Sequence, residues 1–206
     1  DLNNEAVNGI VSIPTDPESG AVEQVLVTGS DFYSNPRVSP DGTQLCWLQW
    51  DHPNMPWDGC ELWAGSLIGG DVVNKFKVVG GSDEAISQPE WSPGGRLHFV
   101  SDRSGWWNLY SLPDTGDDRA AEALSLYESD AEFATPAWIF GMRTYDFAPD
   151  GSIICAYTRL GSWKLGRLET DGKLSEFDLP YSDFSSVRVG DGFVILRAGS
   201  AKRAAE

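Results

Sequence analysis

Residues that could perform acid–base or nucleophilic chemistry are few in this 206-residue chain. It has two histidines, His52 and His98. His52 follows Asp51, and an imidazole beside a carboxylate is the arrangement that a Ser-His-Asp relay uses, but no serine can be identified as its nucleophile. His98 lies between Leu97 and Phe99 in a predicted strand, which indicates a structural role. Two isolated histidines also predict that the chain holds no zinc site.

The serine and acidic residues also provide no clear catalytic group. The stretch from Gly80 to Glu84, Gly-Gly-Ser-Asp-Glu, resembles the Gly-x-Ser-x-Gly elbow of α/β-hydrolases but lacks the closing glycine, so it predicts a turn. The pairs Asp83-Glu84 and Asp117-Asp118 have the residue types of a general acid and base, but we interpret them as solvated turn residues. No glycine-rich phosphate loop occurs. We therefore expect no catalytic residue, no cofactor and no metal in this chain.

The elements that would position these residues are revealed by a recurring phrase. It occurs as Val38-Ser39-Pro40-Asp41-Gly42, Trp91-Ser92-Pro93-Gly94-Gly95 and Phe147-Ala148-Pro149-Asp150-Gly151, with a weaker fourth copy at Val189-Gly190-Asp191-Gly192. Proline presets φ for the first turn position, and the glycine accepts the positive φ that joins two antiparallel strands. Copies recur about every 40 to 56 residues, and this period predicts a repeat architecture.

Each copy of the phrase is followed by an apolar run, a polar loop and a second apolar run. Such a unit predicts a sheet of about four strands, which cannot bury both faces alone and must stack on its neighbours. No helical periodicity appears. The predicted fold class is all-β, a partial β-propeller of about four blades of four-stranded antiparallel sheets. Residues 1–206 form one domain, with partial blades at 1–30 and 181–206 and complete blades at 31–84, 85–135 and 136–180.

Four blades are fewer than most closed propellers contain. We expect the chain to be a segment of a longer propeller. The alternative is an incomplete propeller that closes as a homo-oligomer, because exposed sheet edges pair readily with other strands.

The composition of the chain limits the kinds of partner and the cellular location that we expect. The chain has 31 acidic and 15 basic residues and a formal net charge of −16, which argues against binding to nucleic acid. No apolar stretch is long enough to cross a membrane. Three cysteines without a Cys-x-x-Cys motif predict a reducing, cytoplasmic location. Cys46 and Cys60 fall on predicted adjacent strands, where a disulfide is conceivable, and Cys155 is predicted to be a core residue.

One loop, from Trp50 to Gly59, carries more apolar material than a solvated turn needs. Its two prolines prevent regular strand pairing, and its tryptophans and methionine must pack on something. Either the loop folds onto its own blade as a plug, or it contacts a partner domain, another subunit or a substrate. The candidate partner or gating residues are Trp50, Asp51, His52, Asn54, Met55 and Trp57.

Several phrases together resemble the amino-terminal propeller of bacterial prolyl-oligopeptidase-family serine peptidases, of the acylaminoacyl-peptidase and dipeptidyl-aminopeptidase-like branch. They are Phe32-Tyr33-Ser34, 36–42, 50–59, 88–93, 99–110 and 140–145. The resemblance implies that a carboxyl-terminal α/β-hydrolase domain outside this chain carries the catalytic residues, and that the propeller admits short peptides to it. The Pro-Asp-Gly phrases alone also resemble TolB-type propellers, which leaves a non-enzymatic interaction module as the alternative.

Overall fold

The computed structural model describes residues 6–113 and 122–201, and these consist of strands joined by turns and loops, with no helix. The described part of the chain therefore includes no helix that could span a membrane. The acidic pair Asp117-Asp118 lies outside the described residues.

The strands form three complete sheets and two half-sheets, in which every neighbouring pair is antiparallel. In the first complete sheet the order is β3 (Phe32–Val38), β4 (Gln44–Trp50), β5 (Glu61–Ile68) and β6 (Asp71–Gly80). The second contains β7 (Ile86–Trp91), β8 (Leu97–Ser101), β9 (Asn108–Ser111) and β10 (Leu124–Tyr127), and the third β11 (Tyr145–Phe147), β12 (Ile153–Arg159), β13 (Ser162–Leu168) and β14 (Leu174–Glu176). The half-sheets are β1 (Gly9–Ser12) with β2 (Gln24–Thr28), and β15 (Asp183–Gly190) with β16 (Phe193–Gly199).

This architecture confirms the predicted partial propeller of four-stranded antiparallel sheets. The first half-sheet occupies the position of the two outer strands of a blade, and the last half-sheet occupies the position of two inner strands. Among the described residues, β1 and β16 therefore each have one edge that pairs with no strand. Pairing of these edges with another copy of the chain stays a prediction.

The repeated phrase forms the predicted turn each time. The amides of Gly42, Gly95 and Gly151 each donate to the carbonyl three residues earlier at 2.9 Å. Their φ values are +75°, +83° and +86°, in the left-handed region that glycine occupies without steric cost. Each phrase therefore fixes the corner between the first and second strands of its sheet.

Apolar clusters between successive sheets hold the stack together. On β4, Leu45 and Trp47 pack towards the first half-sheet, whereas Cys46 and Leu48 pack towards the second complete sheet. Both faces of this strand are thus buried, which explains its continuous apolar run. Similar clusters join the second sheet to the third and the third sheet to the last half-sheet.

The three cysteines are buried free thiols. Cys60 lies before β5 and its Sγ donates to the carbonyl of Ile86 at 3.3 Å, whereas Cys46 stands opposite Ala64 in the β4–β5 pairing. The conceivable disulfide between Cys46 and Cys60 is therefore not formed, because the residue opposite Cys46 is Ala64, four positions beyond Cys60, and this offset is too long for a disulfide. Cys155 is a core residue, as predicted.

Candidate functional site

Antiparallel order divides the connections between two faces of the stack. The corners built by the repeated phrase lie on one face, which we call the turn face. Connections from a second to a third strand, and from an outer strand to the next sheet, lie on the opposite face, which we call the loop face. Its segments are 51–60, 81–85, 102–107, 128–144 and 160–161, together with the connections 29–31 and 177–182.

The first loop-face segment is anchored by Asp31. Oδ2 of Asp31 accepts a hydrogen bond from the His52 amide at 2.9 Å and lies 2.8 Å from His52 Nδ1. The Asp31 amide in turn donates to Asp51 at 2.7 Å. Donation from the His52 amide, reinforced by the imidazole, lowers the pKa of Asp31. The carboxylate beside the imidazole is thus Asp31, 21 residues away in sequence, and the adjacent Asp51 bonds elsewhere.

Most of the candidate loop residues serve their own sheet. Trp50 is buried at the end of β4 and stacks on Phe32 at 5.5 Å. Asn54 Nδ2 donates to the carbonyl of Ser82 at 2.8 Å, which ties the loop to the next connection on this face. Met55, by contrast, is exposed. These contacts favour the plug interpretation for the base of the loop.

Trp57 contacts a second segment, at Trp138, which was not among the candidate gating residues. Its ring lies 4.2 Å from that of Trp138, centroid to centroid. Trp138, Ile139 and Phe140 follow one another along the chain and are 73%, 69% and 73% exposed. We call these four residues the aromatic ridge. The apolar run 138–140 was the available signal, but it lies in the connection before β11 and not in a strand.

A cavity of about 320 Å³ opens beside this ridge, between the third sheet and the last half-sheet. Ile139, Phe140 and Trp163 supply apolar walls, and Arg143 and Arg197 supply positive charge. Its volume falls at the lower end of the range for small-ligand sites.

A charge network joins the inner strands of the three complete sheets. Glu90 Oε1 accepts from Arg37 Nε at 3.1 Å and from Arg143 Nη1 at 2.7 Å. Arg143 Nη2 donates to Asp146 at 2.9 Å, and Asp146 accepts from the Val189 amide at 2.9 Å. Four successive sheets are therefore linked through buried or half-buried charges.

A bulge precedes the network position on β3 and β7. Asn35 and Gln88 have positive φ there, at 51° and 45°, where the strand pairing shifts register. Each bulge aims the residue two positions later, Arg37 or Glu90, at the neighbouring sheet. Gln88 also bonds across the sheet boundary: its side chain accepts from the Thr144 amide and donates to the carbonyl of Tyr145, both at 2.7 Å.

The described residues assemble no nucleophile beside His52, whose Nδ1 partner is the Asp31 carboxylate. His98 contacts the carbonyl of Arg96 at 3.0 Å and packs edge-on against Phe147, a structural environment. Burial raises the pKa of Cys60 to about 12, so this thiol is not a thiolate nucleophile near neutral pH. Across 6–113 and 122–201, no three His, Cys, Asp or Glu side chains are grouped to hold a metal ion.

The chain matches no model of a protein family and no curated protein. Among solved structures, it is similar to a Mycobacterium tuberculosis puromycin-hydrolyzing peptidase, with a TM-score of 0.87 and 31% identity over 96% of this chain and 30% of that one. It is also similar to a puromycin hydrolase, with a TM-score of 0.83 and 34% identity over 90% of this chain and 28% of that one. Prolyl oligopeptidase B from Galerina marginata, with a TM-score of 0.66 and 14% identity over 86% of this chain and 24% of that one, shares the fold. The chain thus spans less than a third of each of these proteins.

Proposed function

We propose, from the premise that this chain is a β-propeller of the prolyl-oligopeptidase family of serine peptidases, that it covers the active site of a hydrolase domain and admits only short peptides. The observation that carries the proposal is the likeness to two puromycin-hydrolysing enzymes, at 31% and 34% identity over at least 90% of this chain. We place the parent protein in the branch that removes acylaminoacyl or dipeptidyl units from peptide ends.

Chemistry in this proposal belongs to the hydrolase domain. A serine hydrolase needs a nucleophile bonded to an imidazole that a carboxylate orients, and no such group is assembled around His52 among the described residues. The propeller contributes exclusion: a rigid cover over an active site keeps out folded proteins and reduces the water that competes with protein dipoles.

The charge network suits a cover of this kind. Glu90 receives bonds from two arginines on different sheets, so separating those sheets would leave buried charges without partners. Sheets held together in this way resist being moved apart. The opening of the propeller therefore keeps its size and limits the size of the peptides that pass through it. We further propose that the loop face, with its exposed aromatic ridge, is turned towards the hydrolase domain. The three buried free thiols suit a reducing compartment, and we propose a cytoplasmic location.

The proposal is tested with acyl-amino-acid and aminoacyl nitroanilides. We expect no turnover by the purified 206-residue chain, and turnover by the parent polypeptide that includes a hydrolase segment. Hydrolysis by the purified chain alone would show that the chemistry resides here. A parent reading frame without a Gly-x-Ser-x-Gly segment would favour the TolB-like interaction module instead.

A further inference from the structure

We propose that the cavity beside the aromatic ridge binds the carboxyl-terminal end of a short peptide, with an apolar side chain against Phe140 and the terminal carboxylate on Arg197. The choice of a peptide as ligand rests on the proposed function, and the division into an apolar half and a cationic half comes from the cavity itself.

The size of the cavity limits the ligand. Its volume of about 320 Å³ accommodates one large side chain and a short stretch of backbone. It lies on the loop face, beside the exposed ridge that the proposed function turns towards the hydrolase domain. A peptide held here would project its remaining length out of the propeller surface.

The apolar half consists of side chains that the described residues leave largely exposed. Ile139 and Phe140 line the cavity although about two thirds or more of each is exposed. The contact between Trp57 and Trp138 braces the segment directly before them. An apolar side chain that entered the cavity would remove this surface from water, which is the main favourable term in binding apolar ligands.

The cationic half is supplied by Arg197. Its Nε donates to Ser185 Oγ at 3.0 Å, which orients this exposed guanidinium. Its two terminal nitrogens have no hydrogen-bond or ion-pair partner among residues 6–113 and 122–201. A guanidinium held by Nε with both terminal nitrogens open is suited to two parallel bonds to a carboxylate.

The other charged groups of the cavity define what the ligand is. Arg143 commits both terminal nitrogens to Glu90 and Asp146, and only its buried Nε has no partner among the described residues. Asp183 also lines the cavity and opposes a second negative charge on the ligand. In a chain of net charge −16, the open guanidinium of Arg197 selects a single carboxylate, as at a peptide carboxyl terminus.

A matched pair of peptides tests this site on the 206-residue chain. N-acetyl-Phe-Gly carries a free carboxylate, and N-acetyl-Phe-Gly amide differs only in lacking the charge. We expect the acid to bind about tenfold more tightly than the amide by isothermal titration calorimetry, the size of a charge-assisted pair of hydrogen bonds. Equal affinities for the two peptides, a preference for the amide, or no binding of either would overturn the proposal.

Three variants separate the two halves of the site. Arg197→Gln should remove the preference for the acid, while Phe140→Ser should weaken both peptides by a similar factor of about ten. Leu160→Ser is the control, because Leu160 is 99% exposed on the same face and does not line the cavity; it should change neither affinity. Each variant is first compared with the unaltered chain by circular dichroism, and a full preference for the acid in folded Arg197→Gln would refute the role of Arg197.

This test and that of the proposed function can fail separately. Carboxylate-dependent binding by the chain, together with no hydrolysis by the parent polypeptide, would remove the proposed function and leave the site. Hydrolysis by the parent without carboxylate-dependent binding would remove the site and leave the proposed function.

Discussion

Replacing Glu90 by glutamine should destabilise the propeller more than any comparable charge removal at its surface. Glu90 is buried and its Oε1 accepts from both Arg37 and Arg143. Glutamine keeps the shape and one acceptor oxygen but removes the charge. The side chains of Arg37 and Arg143 are 28% and 14% exposed, so water can compensate little for the loss around Arg143.

The expected cost follows from those exposures. Breaking a buried ion pair by removing one partner typically costs about 3–5 kcal/mol. Asp146 still accepts from Arg143 at 2.9 Å, and Arg37 is partly solvated, so the lower end of that range applies. We expect the free energy of unfolding to fall by about 3 kcal/mol, a large part of the 5–15 kcal/mol that stabilises a typical domain.

Urea unfolding followed by tryptophan fluorescence and circular dichroism measures this change, and coincident transitions establish that a single free energy applies. The matched control is Glu61→Gln. Glu61 pairs with Lys77 at 3.3 Å and accepts from Trp63 Nε1 at 2.8 Å. The side chains of Glu61 and Lys77 are 31% and 47% exposed, and glutamine keeps an acceptor oxygen, so the loss of this charge should cost about 1 kcal/mol or less. If the two variants lose the same stability to within about 0.5 kcal/mol, then the charge network does not hold the sheets together as argued.

Two further perturbations test the connections around Cys60. Gly80→Ala should cost about 1–2 kcal/mol more than Gly20→Ala in urea unfolding, because both glycines have positive φ but only at Gly80 does an added Cβ collide with the Cys60 carbonyl; equal losses would contradict this steric account. Burial raises the pKa of Cys60 from 9.0 to about 12, so stability that is fully present below pH 9 should be lost as pH rises towards 12, by about 1 kcal/mol between pH 9 and 10. Cys60→Ala should lose correspondingly less stability over that interval, and an unchanged dependence on pH in this variant would show that other groups cause it.

Much of the fold could be predicted from the sequence because its turns are specified locally. Proline followed by Asp-Gly or Gly-Gly has few conformations to choose from, and the flanking apolar runs leave one antiparallel arrangement. Strand ends were less predictable. β11 begins only at Tyr145, because the amide of the preceding residue, Thr144, bonds to the side chain of Gln88, 56 residues away.

The candidate site was predictable only in part, because its contacts join distant residues. Sequence neighbours paired His52 with Asp51, but the fold brings Asp31 to the imidazole. The loop containing Trp57 was identified by its composition, whereas its partner Trp138 follows the second sheet and shares no repeat position with it. Arg37 and Glu90 do share a repeat position, five residues before the last glycine of their phrases, and comparison of that position between repeats would have exposed the network.

The charges on the inner strands also encode the order in which the sheets follow one another. The backbone structure repeats from sheet to sheet. The backbone alone would therefore allow the sheets to stack in a different order or against another molecule. Glu90 meets an arginine on each side only when the second sheet stands between the first and the third. If the sheets were arranged in another order or exchanged with another molecule, arginines would lie next to each other, or Glu90 would lie beside Asp146. These side chains therefore favour the native order of sheets over assemblies of similar shape.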